Sequence, residues 1–425
     1  MGGGHSMVEY IQFSFISKIE YYDRIVRSHA HIDVPATPPG RAGEALFIGS
    51  DVYRQAAFGK HHPLSIVRVS GVVDLCRMLG WFEPGQYRES PQASVEQLTQ
   101  FHRPDYVEAL RLADARGSVE KAVRERYRIG TMENPLFPGL FRRASTAVGG
   151  SIHAAELALD GRVVFHPSGG THHGRADRAS GFCYFNDPVF AVLTFLARGV
   201  ERVLYVDLDA HHGDGVQDAF AADDRVLTVS IHEEKRWPHS GLVEDRAAGF
   251  ARNLPVPRGF NDSELDYLVE QAVVPLAEAF EPQALVITCG VDGLDGDPLS
   301  RLALSNVGLW RAVERLVAHH FAHAAAGVGR AVVLGGGGYN PWTVIRCWAG
   351  LWGRLSGRAI PAALPAPAQE LLGSLQCDLL DEEDVPEAWI QTLADAPNDG
   401  PVRPEVERLP ALVLREPCRH PKVAC

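Results

Sequence analysis

Apolar residues in this chain gather into short runs separated by long intervals, and the runs follow two different periods. Six are continuous and rich in β-branched residues: ALFIGS (45–50), VVFHP (163–167), VLYVDLD (203–209), VLTVSIH (226–232), ALVITCG (284–290) and AVVLGGGG (331–338). A strand that is apolar throughout is buried on both faces, as in a parallel sheet covered by helices. Between several runs stand longer stretches with helical spacing, such as DPVFAVLTFLAR (187–198), SELDYLVEQAVVPLAEAF (263–280) and NVGLWRAVERLVAHHFAHAAA (306–326). The alternation predicts an α/β fold, a largely parallel sheet flanked by helices on both faces. No run approaches the roughly 18 apolar residues of a membrane-spanning helix, so no membrane partner is expected.

Three segments follow from the same pattern. Residues 1–44 precede the first strand run and include a Pro-containing PATPPG stretch, and their opening MGGGHSM reads as a cloning remnant rather than a signal peptide. The main domain covers 45–380, closing with IPAALPAPA and a helical QELLGSLQ (369–376). From 381 to 425 an acidic DEED (381–384) leads into a Pro-punctuated tail, whose last 25 or so residues are expected to be loosely held.

Composition narrows the function. With 46% hydrophobic and 22% charged residues the chain matches an ordinary soluble protein. Forty-one Lys and Arg against 53 Asp and Glu give a net charge of −12 without a basic run, which argues against a nucleic-acid partner and suits a cationic substrate better. The seven cysteines are odd in number and lack a CxxC pair, consistent with reduced thiols, a cytoplasmic setting and no structural zinc held by cysteine.

In parallel sheets function collects beyond the carboxyl ends of the strands. Here those ends run into SGGTHHG (168–174), AHHGDG (210–215), VDGLDGDP (291–298) and GGGGY ending at Tyr339. Asp209 and His211, two apart at a strand end, point to the same side, and Asp292 from another strand offers a third ligand. One His and two carboxylates suit Zn²⁺ or Fe²⁺, with a position left for water. Taken singly, such residues are as often turn formers as ligands; together, at several strand ends, they point to one ion. His172 and His173 can serve as general base and acid, with Asp207 and Asp214 as the carboxylates that would fix their tautomers. The other doublets, His61–His62 and His319–His320, show how little HH alone signifies, and HHFAH (319–323) reads as a partly exposed helix face.

The long motifs SGGTHHGRADRASGFCYFND (168–187), VLYVDLDAHHGDGVQDAF (203–220), CGVDGLDGDPL (289–299) and LGGGGYN (334–340) resemble those of the histone deacetylase superfamily over about residues 45–356. IGTMENPLFPG (129–139) and FHRPDYVEAL (101–110) are closer to the bacterial acetoin-utilization type than to the polyamine-deacetylating branch. The resemblance implies the arginase-deacetylase fold and a zinc-dependent hydrolase that releases acetate from acetylated lysine in proteins or peptides. It places Asp209, His211 and Asp292 as zinc ligands, His173 as general base and acid, His172 as its electrostatic partner, and Tyr339 as the carbonyl-polarising phenol. Phe182, beside Gly181, and Trp237 would line an acyl-lysine tunnel with Leu299 on its rim, and Glu133 would hold the substrate backbone. Asp207, Asp209, His211, Ser230 and Ile231 match a K⁺ or Na⁺ site. Departures are Gly174 where Ala is common, Trp237 in place of Phe, and PHSG (238–241) in place of a PGTG-like turn. Rival readings are an acetylpolyamine deacetylase and an acyl-lysine-binding protein without turnover.

Overall fold

The computed structural model describes residues 44–55, 57–59, 61–324, 328–380 and 385–415. The opening segment with MGGGHSM and PATPPG, the DEED cluster, and the tail from 416 lie outside the described residues.

Eight strands form one all-parallel sheet: β1 (Leu46–Gly49), β2 (Tyr87–Glu89), β3 (Val163–His166), β4 (Val203–Asp207), β5 (Val226–Glu233), β6 (Ala251–Val256), β7 (Ala284–Thr288) and β8 (Ala331–Leu334). Their spatial order is β2-β1-β3-β8-β7-β4-β5-β6. Alternate side chains point to opposite faces, which divides each apolar run between two cores. Val203, Tyr205, Val286, Val332 and Leu334 meet Ala154, Ala155, Val189 and Val192 of the helices Leu140–Ala158 and Asp187–Ala197. Leu204, Val206, Leu285, Ile287 and Val333 face the other way, toward the helices Val69–Met78, Asn306–His323 and Pro341–Leu355. The expected helix over 263–280 is interrupted: a π-helical stretch, Val269–Val273, separates Asp262–Leu268 from Val274–Phe280, where Pro275 cannot continue the regular bonding.

The tail differs from expectation. Its described residues, 385–415, are anchored on the domain, with Val406, Leu409 and Val413 buried. Arg252 of β6, itself buried, donates from Nε to the Val413 carbonyl at 2.9 Å, so the C-terminal segment covers the edge strand. No described helix is long and apolar enough to cross a membrane.

β3, β8, β7 and β4 are adjacent at the centre of the sheet. Their four following loops therefore converge on one stretch of its carboxyl edge, the geometry that brings residues from distant parts of the chain together.

Candidate active site

Asp209, His211 and Asp292 are buried, and one donor atom from each lies within 4.8 Å of the others. His211 Nδ1 is 2.9 Å from Asp292 Oδ2 and 3.3 Å from Asp209 Oδ1. Backbone amides fix both carboxylates: Gly337 N donates to Asp209 Oδ2 at 2.6 Å, and Ala210 N to Asp292 Oδ1 at 2.9 Å. The glycine run makes this approach possible, since a Cβ on Gly337 would fall 2.1 Å from Asp292 Oδ2. Burial and the neighbouring Asp209 push the Asp292 carboxyl above its ordinary range. Burial acts upward on Asp209 too, but the His172 charge and the bonds from His211 more than offset it and hold Asp209 low. Two buried carboxylates facing one imidazole are a poor arrangement alone and a good one around a divalent cation.

The two adjacent histidines are held in opposite states. His172 Nδ1 is 2.7 Å from Asp207 Oδ2, which also accepts from the Tyr205 hydroxyl at 2.6 Å. Burial opposes charge on His172, but Asp207 and Asp209 outweigh it and raise the ring to about 9, so it is cationic at neutral pH. His173 Nδ1 is 2.8 Å from Asp214 Oδ1, and Arg175 is paired with the other oxygen of Asp214. Burial and the His172 charge lower His173 to about 3, so that ring is neutral with Nε2 free. The electrostatic division follows from the neighbours: His172 faces the carboxylates of Asp207 and Asp209, whereas His173 has Asp214 set against burial and the charges of His172 and His211.

Glu133, His173, Gly181, Phe182, His211, Arg236, Trp237, Leu299 and Tyr339 line a cavity of about 300 Å³. Trp237 meets the His173 ring edge-on at 4.6 Å and Phe182 meets Tyr339 edge-on at 5.9 Å. Glu133 Oε1 accepts from Gly181 N at 3.0 Å. Burial, then Asp292 and Asp209, keep the Tyr339 phenol well above its ordinary value and hence protonated. Ser230 pairs with Asp207 across β4 and β5, and Ile231 follows it; the Ser230 hydroxyl is 2.9 Å from His232 Nδ1. His319 and His323 stack at 4.2 Å on the helix Asn306–His323, away from the residues lining this cavity.

Sequence reasoning did not single out Arg68, Arg175 or Asp297. Arg68 is half-buried, donates to the Gly336 carbonyl and lies 5.0 Å over the Trp348 ring. Asp297 Oδ2 accepts from Tyr339 N at 2.7 Å. Arg68 had no signal, being separated from its partner by 268 positions; Asp297 sits inside the DGDP motif and Arg175 directly after HHG, so both were within reach.

Residues 62–355 match the histone deacetylase domain family. The chain belongs to the histone deacetylase family. It is 35% identical over 323 residues to the acetoin utilization protein AcuC of Bacillus subtilis (strain 168), covering 74% of this chain and 82% of that protein. Human histone deacetylase 1 is 34% identical over 301 residues, 68% of this chain and 60% of that relative. The crystal structure of a histone deacetylase homologue from Aquifex aeolicus superimposes with a TM-score of 0.80 at 36% identity, covering 87% of this chain and 99% of that one. A histone deacetylase homologue complexed with SAHA gives 0.81. The fold is the arginase-deacetylase fold expected from the motifs.

Proposed function

We propose that this deacetylase hydrolyses the acetyl amide of acetylated lysine in a protein or peptide. The observation that carries the reading is the convergence at one cavity of a three-ligand group, two oppositely tuned His–Asp pairs and a protonated tyrosine. Asp209, His211 and Asp292 would hold a single Zn²⁺, with Fe²⁺ the alternative from the same donor set. When bound there, such an ion supplies Lewis acidity, polarising a carbonyl and lowering the pKa of water toward about 7.

The remaining work falls to side chains. His173, neutral and with Nε2 free, accepts the proton of the attacking water and returns it to the departing lysine amine. Asp214 orients the ring and stabilises its transient charge, while the fixed positive charge of His172 keeps His173 unprotonated between turnovers. Tyr339 donates a hydrogen bond to the substrate carbonyl oxygen as it gains negative charge. Phe182 and Trp237 favour a thin unbranched chain between them, Leu299 forms the rim, and Glu133 with Gly181 receives the substrate backbone. Asp207, Asp209, His211, Ser230 and Ile231 are proposed to bind K⁺ or Na⁺ behind the divalent site, a reading supported by the β4–β5 pairing that sets Ser230 beside Asp207. The cysteines among the described residues are unpaired and buried, which supports a reducing, cytoplasmic setting.

The test is turnover by the zinc-loaded protein of a panel of acetyl-lysine peptides and acetylated polyamines. Cleavage of the peptides is expected. Polyamine turnover far exceeding that of every peptide would move the substrate to the rival class, and peptide binding with no hydrolysis of any member would make it an acyl-lysine-binding protein.

A further inference from the structure

The family match ends at residue 355, yet the chain beyond it touches the tyrosine that ends the glycine run. Tyr339 is held through its backbone on both sides. Its amide donates to Asp297 Oδ2 at 2.7 Å, and its carbonyl accepts from the Cys377 thiol at 3.7 Å. The next residue, Asn340, donates from its side chain to the Gly296 carbonyl at 3.1 Å and caps the helix Pro341–Leu355 through Trp342 N. Residues 296 and 297 thus fix 339 and 340, and the placement of the phenol depends on where that turn sits.

What sits against the turn is Trp389. A Cβ on Gly296, whose φ is +85°, would lie 2.7 Å from the Trp389 ring, so the indole rests directly on the glycine. Trp389 belongs to a short helix, Glu387–Gln391, tied down at its C-terminal side by buried groups of the catalytic body. Arg346, fully buried, donates from Nε to the Thr392 carbonyl at 2.8 Å. Asn306, also buried, accepts from Asp395 N at 2.9 Å and donates to the Leu393 carbonyl at 2.8 Å. Leu364 N donates to the Gln391 carbonyl at 2.8 Å. A helix whose C-terminal end is held this firmly keeps its indole against the turn and limits how far the turn can move.

We propose that the C-terminal segment is a brace for the active site, in which Trp389, pressing on Gly296, and Cys377, bonded to the Tyr339 carbonyl, act as positioning residues for the Tyr339 phenol. The proposal rests on the reading of Tyr339 as the donor to the substrate carbonyl. Catalysis is steep in this coordinate, since a displacement of about 1 Å can cost roughly 100-fold. Ground-state substrate binding, made by other walls of the cavity, does not share that dependence.

A double-mutant cycle in the full-length zinc-loaded protein tests this, with kcat and KM for an acetyl-lysine peptide measured for wild type, Trp389→Ala, Trp389→Phe, Tyr339→Phe and the Trp389→Ala/Tyr339→Phe pair. Trp389→Ala should lower kcat roughly tenfold with KM changed less than about twofold, and Trp389→Phe should restore most of the loss. In the Tyr339→Phe background the same alanine should change kcat by less than about twofold, because no hydroxyl remains to be placed. Wild-type kcat in Trp389→Ala, or a loss equally large in both backgrounds, overturns the brace. Wild-type kcat in Tyr339→Phe itself overturns instead the reading of Tyr339 as donor. If Trp389→Ala does not fold, Cys377→Ala enters the cycle in its place with the same expected pattern.

Discussion

Replacing Gly181 by alanine should weaken catalysis far more than it weakens the fold. Gly181 has a φ of +53°, and an added Cβ would lie 2.4 Å from Trp237 Cη2 and 2.7 Å from His173 Cδ2. Left-handed backbone costs an alanine about 1 kcal/mol, and carbons settle at about 3.5 to 4 Å, so both rings must retreat, each by about 1 Å. Trp237, 38% exposed, has room to give way, whereas His173 is buried and retreats only at the expense of its 2.8 Å contact with Asp214. Displacements of that size in a wall of the tunnel and in the base correspond to a loss in kcat/KM of roughly 10- to 100-fold, with kcat falling as well as KM rising. Gly80 supplies the control: its φ is +65° and nothing lies within 4 Å of its Cβ position. Gly80→Ala should therefore show the backbone cost of about 1 kcal/mol in urea denaturation and wild-type kinetics. Steady-state kinetics and urea titrations of the two variants decide the matter. Equal behaviour of the pair, or kcat/KM within about twofold of wild type in Gly181→Ala, would refute the steric argument.

Asp292→Asn should lower zinc content and activity together while leaving far-UV circular dichroism unchanged, since the core strands do not need the ion; full zinc occupancy by elemental analysis in the variant would remove Asp292 from the ligand set. Trp237→Ala should raise KM for an acetyl-lysine peptide more than it shifts the urea midpoint, the indole being partly exposed, and an unchanged KM counts against the tunnel. The metal-stripped protein should lose stability in mild acid. Burial first lowers His102, His166 and His232 each to about 3, so these rings are neutral when folded but protonate below about 6.5 when unfolded. Their stabilising contribution is complete above 6.5 and drains away as pH falls toward 3, a loss of about 4 kcal/mol for the three between pH 7 and 5.5. His172, raised to about 9, runs oppositely: its contribution is complete below 6.5, is lost as pH rises through 9, and offsets only a small part of the loss. Equal urea midpoints at pH 7 and 5.5 would show that these rings do not control acid stability.

The parts of the fold visible in the chain were those where burial on both faces leaves mostly apolar residues. β4, β5, β7 and β8 are of that kind. β6 was not, because ARNLPV carries Arg252, Asn253 and Pro255; it is an edge strand, where a proline breaks no sheet, and its arginine is satisfied by a segment more than 150 residues away. β2, three partly exposed residues, is too short to show a period. The tail was misjudged for a related reason: Val406, Leu409 and Val413 are few and separated by prolines and charges, so their burial depends on a surface that local spacing cannot reveal. The site was more legible than its surroundings. Asp209 and His211, the HH doublet, Asp292 and Tyr339 all lie where strands end, and strand ends are readable. Arg68 and Trp389 act on neighbours far away in sequence, and nothing in their own neighbourhoods marks them.

The most direct test of the catalytic account compares Tyr339→Phe with wild type for kcat, affinity for a non-hydrolysable acetyl-lysine peptide analogue, and zinc content. The substitution keeps the ring, its edge contact with Phe182 and both backbone hydrogen bonds, and deletes only the hydroxyl. Loss of one donor to a developing oxyanion typically costs about 10² to 10³ in kcat. Zinc content and analogue affinity should stay close to wild type while kcat falls by that factor; a variant that turns over at the wild-type rate would contradict the account.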